Sequence, residues 1–328
     1  MTLDPLHTHP GWWGLPVLDD ARVLVTGGAG FVGSHLVRLL LACGARVVVL
    51  DVAGEPWRLA DMAGAVEYVQ VDLNDSASLR AIVAEHNPTH VFHLAAYAVQ
   101  PSQRNWHDAV QANVSATLSI VDACGQDSNI RFVQIGTAHE YGGAEAAIGE
   151  DAPLRPVGVY GATKAAGMIV GRARAREVGV EWTGLRPFVA FGPQEAHQKL
   201  IPYVLTQALS GRPIETTKGD QIRDFIYVKD LVAGMVHAAL APAAVDEILN
   251  LSAGQVMSLA DLIREAASLV PGADLRLGAR PHRSDHIPVQ KADLSKTKRL
   301  LPSWQPHYSI RDALQETLNW YRKESQGS

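Results

Sequence analysis

Two short stretches of the 328-residue sequence carry side chains that could move a proton together. The stretch "GTAHEYGG" places a hydroxyl at Thr137, an imidazole at His139 and a carboxylate at Glu140. In "VYGATK", a helix would hold Tyr160 and Lys164 on one face, because they are four positions apart. A lysine ammonium lowers the pKa of a nearby phenol, ordinarily about 10. The spacing therefore predicts that Tyr160 moves a proton and that Thr137 orients a substrate oxygen.

A second constellation, "VTGGAGFVG", follows a strand-like run and precedes a helical one. Gly27, Gly30 and Gly33 permit a tight turn and a close approach of the backbone to a pyrophosphate at the helix N-terminus. Asp51, at the end of the next strand-like run, can accept hydrogen bonds from ribose hydroxyls and would repel a 2′-phosphate. The loop predicts NAD. Arg58 could still reach a 2′-phosphate, so NADP stays open. With a nicotinamide, the proton set suits hydride transfer.

Apolar runs of strand length alternate with amphipathic runs of helix length in the first half of the chain. This rhythm predicts an α/β fold, a doubly wound parallel (Rossmann) sheet covered on both faces. The predicted strands span 22–27, 46–51, 66–72, 90–96, 131–137 and 180–188. The predicted helices span 31–43, 76–86, 106–124 and 160–178.

The rhythm breaks after Pro187, and this break suggests a division of the chain into lobes. We expect an N-terminal extension over residues 1–20 and a dinucleotide-binding Rossmann domain over 21–186, completed by about 221–252. A smaller C-terminal substrate-binding lobe would combine residues 187–220 with residues 253–328.

Composition excludes several other classes of protein. A net charge of −5 argues against a nucleic-acid surface, and no apolar run reaches the about 18 residues of a membrane span. With 47% apolar residues the chain can build a sizeable core. Two cysteines and the isolated histidines of "HTHPGWW" predict neither a disulfide framework nor a metal site. We expect a cytoplasmic protein.

Together these motifs resemble the extended short-chain dehydrogenase/reductase family, the NAD-dependent epimerase/dehydratase group acting on nucleotide sugars. The resemblance runs from about residue 21 to 323 and includes "TGGAGFVG", "VDLND", "HLAA", "YGATK", "LRPFVAFGP", "RDFIYVKD" and "RSDHIP". It implies that Thr137, Tyr160 and Lys164 are the catalytic set. The cofactor contacts that it implies are Gly27, Gly30, Phe31, Val32, Gly33, Asp51, Asp72, Leu73, Leu94, Ala95, Ala96, Asn113, Tyr160, Lys164, Pro187 and Phe188.

The chain departs from the family pattern at two places near the sugar. Family members that dehydrate the sugar carry Asp-Glu directly after the catalytic hydroxyl, where this chain has Ala138 and His139. The Asn that contacts the substrate diphosphate is replaced by Val189. A standard 4,6-dehydratase is therefore not expected. The substrate contacts that the resemblance implies are His139, Val189, Leu200, Arg223 and Arg283, the two arginines holding the diphosphate.

Three hypotheses follow for the function. The flanking sequence favours reduction of a nucleotide-linked 4-keto-6-deoxyhexose with Tyr160 as proton relay. A 4-epimerase that retains NAD, similar to UDP-glucose 4-epimerase, matches nearly as well. A non-catalytic dinucleotide sensor would have no use for the Tyr160 and Lys164 pair. The resemblance also implies a homodimer in which helices 106–124 and 160–178 pair, with Val110, Val114, Ala165, Met168 and Ile169 as candidate apolar contacts.

Overall fold

The computed structural model of the protein describes residues 9–97, 103, 105–125, 130–281 and 287–326. Short apolar runs form the strands of a large sheet and of two small ones. The strands are β1 Arg22–Thr26, β2 Arg46–Asp51, β3 Glu67–Gln70, β4 His90–His93, β5 Arg131–Ile135, β6 Glu181–Pro187, β7 Val189–Phe191, β8 Ile214–Glu215, β9 Ile222–Tyr227, β10 Ile248–Leu251, β11 Gln255–Ser258, β12 Leu275–Arg276 and β13 Val289–Gln290.

Helices follow most of these strands. They are α1 Phe31–Ala42, α2 Ser76–His86, α3 Trp106–Val110, α4 Ala116–Cys124, α5 Gly158–Val178, α6 Leu200–Leu209, α7 Val228–Leu240, α8 Leu259–Ser268, α9 Ser295–Leu300 and α10 Ile310–Gln326. Within the described ranges, no helix is both long enough and apolar enough to cross a membrane.

The large sheet confirms the predicted fold class. Its seven parallel strands have the order β10-β6-β5-β4-β1-β2-β3. The order reverses between β1 and β4, so the chain leaves these two strands in opposite directions and opens a crevice at their carboxyl ends. We call the crevice at the carboxyl ends of β1, β4, β5 and β6 the cleft. Its position explains why the predicted cofactor loop and the predicted catalytic turn, which both follow strands of this sheet, can meet.

The chain after β6 also forms two small sheets, whose strand pairing the sequence did not predict. Strand β9 pairs with β11, β13 and β7, and β8 pairs with β12. Helices α6, α8 and α10 pack over these sheets around a separate apolar cluster that includes Phe225, Leu262 and Leu314. Strand β10 returns the chain to the edge of the large sheet beside β6. The division of the chain into lobes stays a prediction.

The segment before β1 is fastened to the body of the protein by a tryptophan. Trp13 is only 2% exposed, and its indole nitrogen donates to Oδ1 of Asp230 over 2.8 Å. The ring of His237 lies 2.7 Å from the carbonyl oxygen of Trp13. Asp230 also accepts from the backbone nitrogens of His307 and Tyr308. One buried carboxylate therefore joins the N-terminal segment, α7 and the chain preceding α10.

Candidate active site

The glycine loop has the shape that a pyrophosphate requires. Gly27 adopts a left-handed φ of +70°, and a Cβ there would lie 2.7 Å from the backbone nitrogen of Ala95. A Cβ on Gly33 would lie 2.3 Å from the carbonyl oxygen of Gly27. Gly30 is the N-cap of α1, which begins with Phe31 and directs its free N–H groups toward the cleft. These residues fit the diphosphate of a dinucleotide.

Asp51 stands at the carboxyl end of β2 and supports this loop. Its carboxylate accepts from the backbone nitrogen of Ala29 over 3.1 Å and from that of Val52 over 2.8 Å. Nε of Arg58 donates to the carbonyl oxygen of Gln194 over 3.0 Å. Its guanidinium also stacks on Trp57, 4.2 Å from the ring centre. The carboxylate is thus placed for ribose hydroxyls, whereas the arginine is engaged with the backbone.

His93 fills the floor of the cleft between β1 and α4. Its Nδ1 lies 2.7 Å from the hydroxyl of Thr26, and its Nε2 lies 3.0 Å from the hydroxyl of Thr117. Burial lowers the pKa of His93 to about 3, and the charge of Lys164 lowers it further. The ring is neutral and both of its nitrogens have hydrogen-bond partners, so His93 has a structural role in the core. Leu94 and Ala95 continue from here along the edge of the glycine loop.

Asn113 owes its position to a break in a helix that was predicted to be regular over 106–124. A π-helical turn over Gln111–Ser115 separates α3 from α4 and brings the amide of Asn113 under the cleft. The side chain accepts from the backbone nitrogen of Tyr97 over 2.9 Å and donates to the hydroxyl of Thr163 over 2.8 Å. Asn113 therefore ties the loop after β4 to α5, close to the predicted catalytic residues.

The two stretches of predicted chemistry meet at a single turn after β5. Ala138–Glu140 forms a short 3-10 turn capped by Thr137. The hydroxyl of Thr137 lies close enough to the phenol of Tyr160 to oppose the rise of its pKa, and it is 3.2 Å from Nδ1 of His139. The rings of His139 and Tyr160 meet edge to face, with centroids 5.9 Å apart. A Cβ on Gly161 would lie 2.6 Å from the carbonyl oxygen of His139, so the glycine of "YGATK" permits this contact.

Glu140 has a different environment from its neighbours in the turn. Its carboxylate is 0% exposed and forms an ion pair of 2.7 Å with Nε of Arg186, which is 3% exposed. The other carboxylate oxygen accepts from the backbone nitrogen of Thr137 over 2.9 Å. Arg186 also donates to the hydroxyl of Tyr141, which donates in turn to Asn250 on β10. A buried network of charges thus fixes the backbone that carries the Thr137 hydroxyl.

The sequence predicted that Lys164 lowers the pKa of Tyr160, but in the structure this pKa is raised. Burial raises the pKa of Tyr160 to about 12, against the hydrogen bond from Thr137, and the charge of Glu140 raises it further. Lys164 is only 4% exposed, and burial lowers its own pKa to about 8, while Glu140 raises it. The physical reason is desolvation, which penalises the charged form of both groups more than the pair gains.

The residues predicted to contact the sugar and its diphosphate lie around the second sheet. Val189 opens β7 and is half-buried, and Leu200 is the first residue of α6. Arg223 on β9 donates to the carbonyl oxygen of Ile287 over 2.6 Å, and burial lowers its pKa. Burial lowers the pKa of His139, and the positive charges of Arg223 and Lys199 lower it further. Arg283 lies outside the described residues.

The remaining predicted cofactor residues follow the carboxyl ends of strands of the large sheet. Val32 follows Phe31 in the first turn of α1, and Ala96 directly follows Ala95. Asp72 follows β3 and accepts from the backbone nitrogen of Asn74 over 2.9 Å. Leu73 and Phe188 are each 6% exposed. Pro187 is the last residue of β6.

Sequence reasoning missed two charged residues of this site. Arg186 ends the buried strand β6, and a strand interior that contains an arginine signals a buried anionic partner. Lys199, the N-cap of α6, gave no signal because an isolated lysine before a helix is common. Across the described ranges, no group of three or more His, Cys, Asp or Glu side chains could hold a metal ion.

Comparison with known proteins identifies the family. The model of the NAD dependent epimerase/dehydratase family matches residues 23–252, so the chain belongs to that family and the predicted resemblance is confirmed. The chain is 31% identical to dTDP-glucose 4,6-dehydratase of Streptomyces griseus, covering 92% of this chain and 94% of the relative. It is 29% identical to UDP-glucuronate 4-epimerase of Thermodesulfobacterium geofontis (strain OPF15), covering 92% and 96%.

A solved structure has the same fold. MoeE5 in complex with UDP-glucose and NAD superposes with a TM-score of 0.82 at 30% sequence identity, covering 93% of this chain and 99% of that one. The predicted fold class is therefore confirmed both by strand order and by superposition.

Proposed function

We propose that this protein reduces the keto group of a nucleotide-linked 4-keto-6-deoxyhexose with a nicotinamide dinucleotide. One observation carries the choice of reduction over dehydration. Loss of water needs an acid and a base beside the sugar, but Ala138 is apolar and the carboxylate of Glu140 is buried in its ion pair with Arg186. Thr137, His139 and Tyr160 supply a hydroxyl, an imidazole and a phenol at the cleft, which suit proton delivery to a ketone oxygen.

The chain's own residues divide the work in the following way. Tyr160 holds its proton at neutral pH, because its pKa is raised to about 12, and it gives that proton to the ketone oxygen. The hydroxyl of Thr137, beside the phenol of Tyr160, orients the same oxygen. Lys164, largely charged at pH 7 with a pKa of about 8, stabilises the phenolate that forms. Bound in the cleft, the reduced dinucleotide supplies the hydride.

The cofactor that we propose is NAD(H), held by the glycine loop and by Asp51. Support comes from the loop itself, where Cβ atoms on Gly27 or Gly33 would collide with backbone, and from the NAD in the MoeE5 complex. The substrate would place its diphosphate near Arg223 and its sugar against Val189, Leu200 and His139. Within the described ranges, Arg223 donates to backbone carbonyl oxygens and to no carboxylate, so its charge is available to an anion.

Cofactor choice gives the first prediction. A carboxylate beside a 2′-phosphate costs about 1–3 kcal/mol through like-charge repulsion, so the parent should bind NADH about 5- to 150-fold more tightly than NADPH. Asp51→Asn should narrow this ratio. Arg58→Ala is the matched control, because Arg58 is engaged with the backbone of Gln194, and it should leave the ratio unchanged. Fluorescence titration of the parent and the two variants with NADH and with NADPH measures all six dissociation constants, and tighter NADPH binding by the parent would refute this use of Asp51.

A 4-epimerase with retained NAD is the second candidate, supported by the similarity to UDP-glucuronate 4-epimerase. A reductase consumes a hydride in each turnover, whereas an epimerase returns it to the same sugar. The deciding experiment follows nicotinamide absorbance with a nucleotide-linked 4-keto-6-deoxyhexose, beside an incubation of UDP-glucose or UDP-galactose without added cofactor. We expect stoichiometric loss of absorbance in the first tube. Interconversion in the second tube, with no absorbance change in the first, would establish the epimerase instead.

We also propose that the protein is a homodimer that pairs α3–α4 and α5 across a two-fold axis. The five apolar residues named for this surface differ in how far they are exposed. Ala165 and Met168 are buried at 5% and 1% exposure and face the protein's own core, whereas Val110 and Ile169 are 43% and 59% exposed. Val114 is half-buried. Trp106, 56% exposed, extends the outward face. Exposed apolar side chains on two neighbouring helices suit an isologous contact.

The dimer gives the second prediction. Light scattering at micromolar concentration should give the mass of two chains, and Ile169→Glu should give the mass of one, because a charge on each side of a two-fold contact is buried without a partner. Val256→Glu is the control, since Val256 is equally apolar, 43% exposed and on β11, away from these helices. A parent that scatters as a single chain would refute the dimer.

A further inference from the structure

A chain of polar side chains leads from the half-buried Tyr160 to the open side of the cleft. The phenol of Tyr160 lies beside the hydroxyl of Thr137, which acts on its pKa, and that hydroxyl lies 3.2 Å from Nδ1 of His139. His139 itself is exposed, and its ring rests edge to face on that of Tyr160 at 5.9 Å. Tyr160, Thr137 and His139 therefore form a continuous path from the reacting group to water, which we call the outer relay.

We propose that His139 returns a proton from water to Tyr160 through the hydroxyl of Thr137 after each turnover. This inference rests on the proposed function, because it concerns the phenol after it has given its proton to the ketone. Although its ring borders the sugar, His139 reaches the reacting atoms only through Thr137, so it is a positioning residue of the relay. The role also explains why a histidine stands where the dehydrating relatives of the family carry a carboxylate.

The atoms of one turnover balance along this path. The ketone carbon gains the hydride of the reduced nicotinamide, and its oxygen gains the proton of Tyr160. The phenolate then takes the Thr137 proton, Thr137 takes the Nδ1 proton of His139, and Nε2 of His139 takes one from water. The net change is one hydride from the cofactor and one proton from solvent. The ring stays neutral with its tautomer exchanged, and contact with water in the cleft resets it.

Comparison with His93 shows why His139 can serve in this way. Both nitrogens of His93 are occupied by threonine hydroxyls at 2.7 and 3.0 Å, and the ring is fully buried, so it has no route to water. In the described part of the chain, only the Nδ1 side of the His139 ring has a recorded hydrogen bond. Its Nε2 is left for solvent or substrate. The two histidines therefore differ in access rather than in chemistry.

The charges around His139 keep the ring in the neutral form that a tautomer exchange needs. From outside its turn, Arg223 on β9 and Lys199 before α6 act on it with positive charge. In its own turn, Glu140 is paired with Arg186. From α5, the ring faces Tyr160, with Lys164 one helical turn further on. Desolvation lowers the pKa of His139, and the two cations lower it further.

The outer relay is tested with two substitutions of His139. His139→Asn keeps an amide able to reach the Thr137 hydroxyl but lacks the second ring nitrogen, and His139→Ala removes both. We expect kcat to fall by about 10²-fold in each, the lower end of what a proton-transfer group contributes, while KM stays within about twofold. Added imidazole should restore His139→Ala toward the parent rate. His86→Asn, a histidine on α2 beside Glu67, is the control and should change neither constant.

Two results would overturn the relay when the parent is active on the ketone. One is a parent-like kcat in His139→Asn. The other is a loss in His139→Ala that imidazole does not restore or that lies in KM alone, either of which would mark a packing or binding role.

A measurement without substrate separates this inference from the proposed function. If the parent does not reduce the ketone, the proposed function fails, and ¹⁵N NMR of the His139 ring still tests the relay. We expect a neutral ring at pH 7 that populates both tautomers, and Thr137→Val should shift their ratio. A cationic ring, or a ratio that Thr137→Val leaves unchanged, would refute the coupling of His139 to Thr137.

Discussion

Replacing Tyr160 by phenylalanine should lower turnover by about 10²- to 10⁴-fold, the usual contribution of a positioned acid or base. The substitution removes one oxygen and keeps the ring, so the edge-to-face contact with His139 and the packing of α5 remain. Dinucleotide affinity should change little, because the glycine loop and Asp51 hold the cofactor on the other side of the cleft. Steady-state kinetics with the ketone and a separate NADH titration measure the two effects.

The control for this prediction is Tyr308→Phe. Tyr308 packs on Tyr227, with ring centroids 4.5 Å apart, and lies beside Trp12 near the N-terminal segment rather than at the cleft. It should keep the parent's rate. Turnover of Tyr160→Phe within a few-fold of the parent would remove Tyr160 from the role of proton donor. A matching loss of NADH affinity would show that the phenol acts through the cofactor site instead.

The sequence predicted the parts of this molecule whose causes are local. The first strands are short apolar runs bounded by turns, and β2 and α2 have the predicted bounds. The glycine loop was predictable because each of its glycines answers a steric demand within a few residues, as the Gly33 contact with Gly27 shows. The predicted helix over 106–124 was correct in extent, but its π-helical turn depends on Asn113 reaching Tyr97 and Thr163.

Features that depend on distant partners could not be predicted. Strands β7, β8, β12 and β13 have only two or three residues, too few for an alternating pattern to be recognised. The ion pair of Glu140 could not be predicted, because its partner Arg186 is 46 positions away in the sequence. The direction of the Tyr160 pKa shift was missed for a similar reason. The i, i+4 spacing gives the nearness of Lys164, whereas the depth of burial comes from the whole fold.

The pair of Glu140 and Arg186 carries the largest expected effect on stability. Glu140→Gln keeps the shape of the side chain and its hydrogen bond to Thr137, but it leaves the Arg186 guanidinium buried without a counter-charge. Breaking a buried pair in this way costs about 3–5 kcal/mol. Chemical denaturation should show this loss in the free energy of unfolding. Glu177→Gln, which breaks an exposed pair with Arg174 on the same helix, should change it little.

A double substitution separates charge from packing in this pair. Glu140→Gln combined with Arg186→Met removes both charges, so it should be less destabilising than Glu140→Gln alone, because no uncompensated ion is then left in the core. If the double variant is less stable than Glu140→Gln, the other contacts of Arg186, to Tyr141 and to the carbonyl oxygen of Glu150, stabilise the site more than the charge pair does.

Glu140→Gln alone should also shift the pH dependence of turnover, which a purely structural role of Glu140 would not do. Glu140 raises the pKa of Lys164, so its loss should lower that pKa below the parent's value of about 8. The ammonium that stabilises the Tyr160 phenolate is present below the Lys164 pKa and is lost as the pH rises through it. The alkaline limb of the Glu140→Gln rate profile should therefore begin at a lower pH than the parent's, measured in the fraction that stays folded. An unshifted limb would mean that Lys164 does not feel the charge of Glu140, and the ion pair would then serve only to fix the backbone of Thr137.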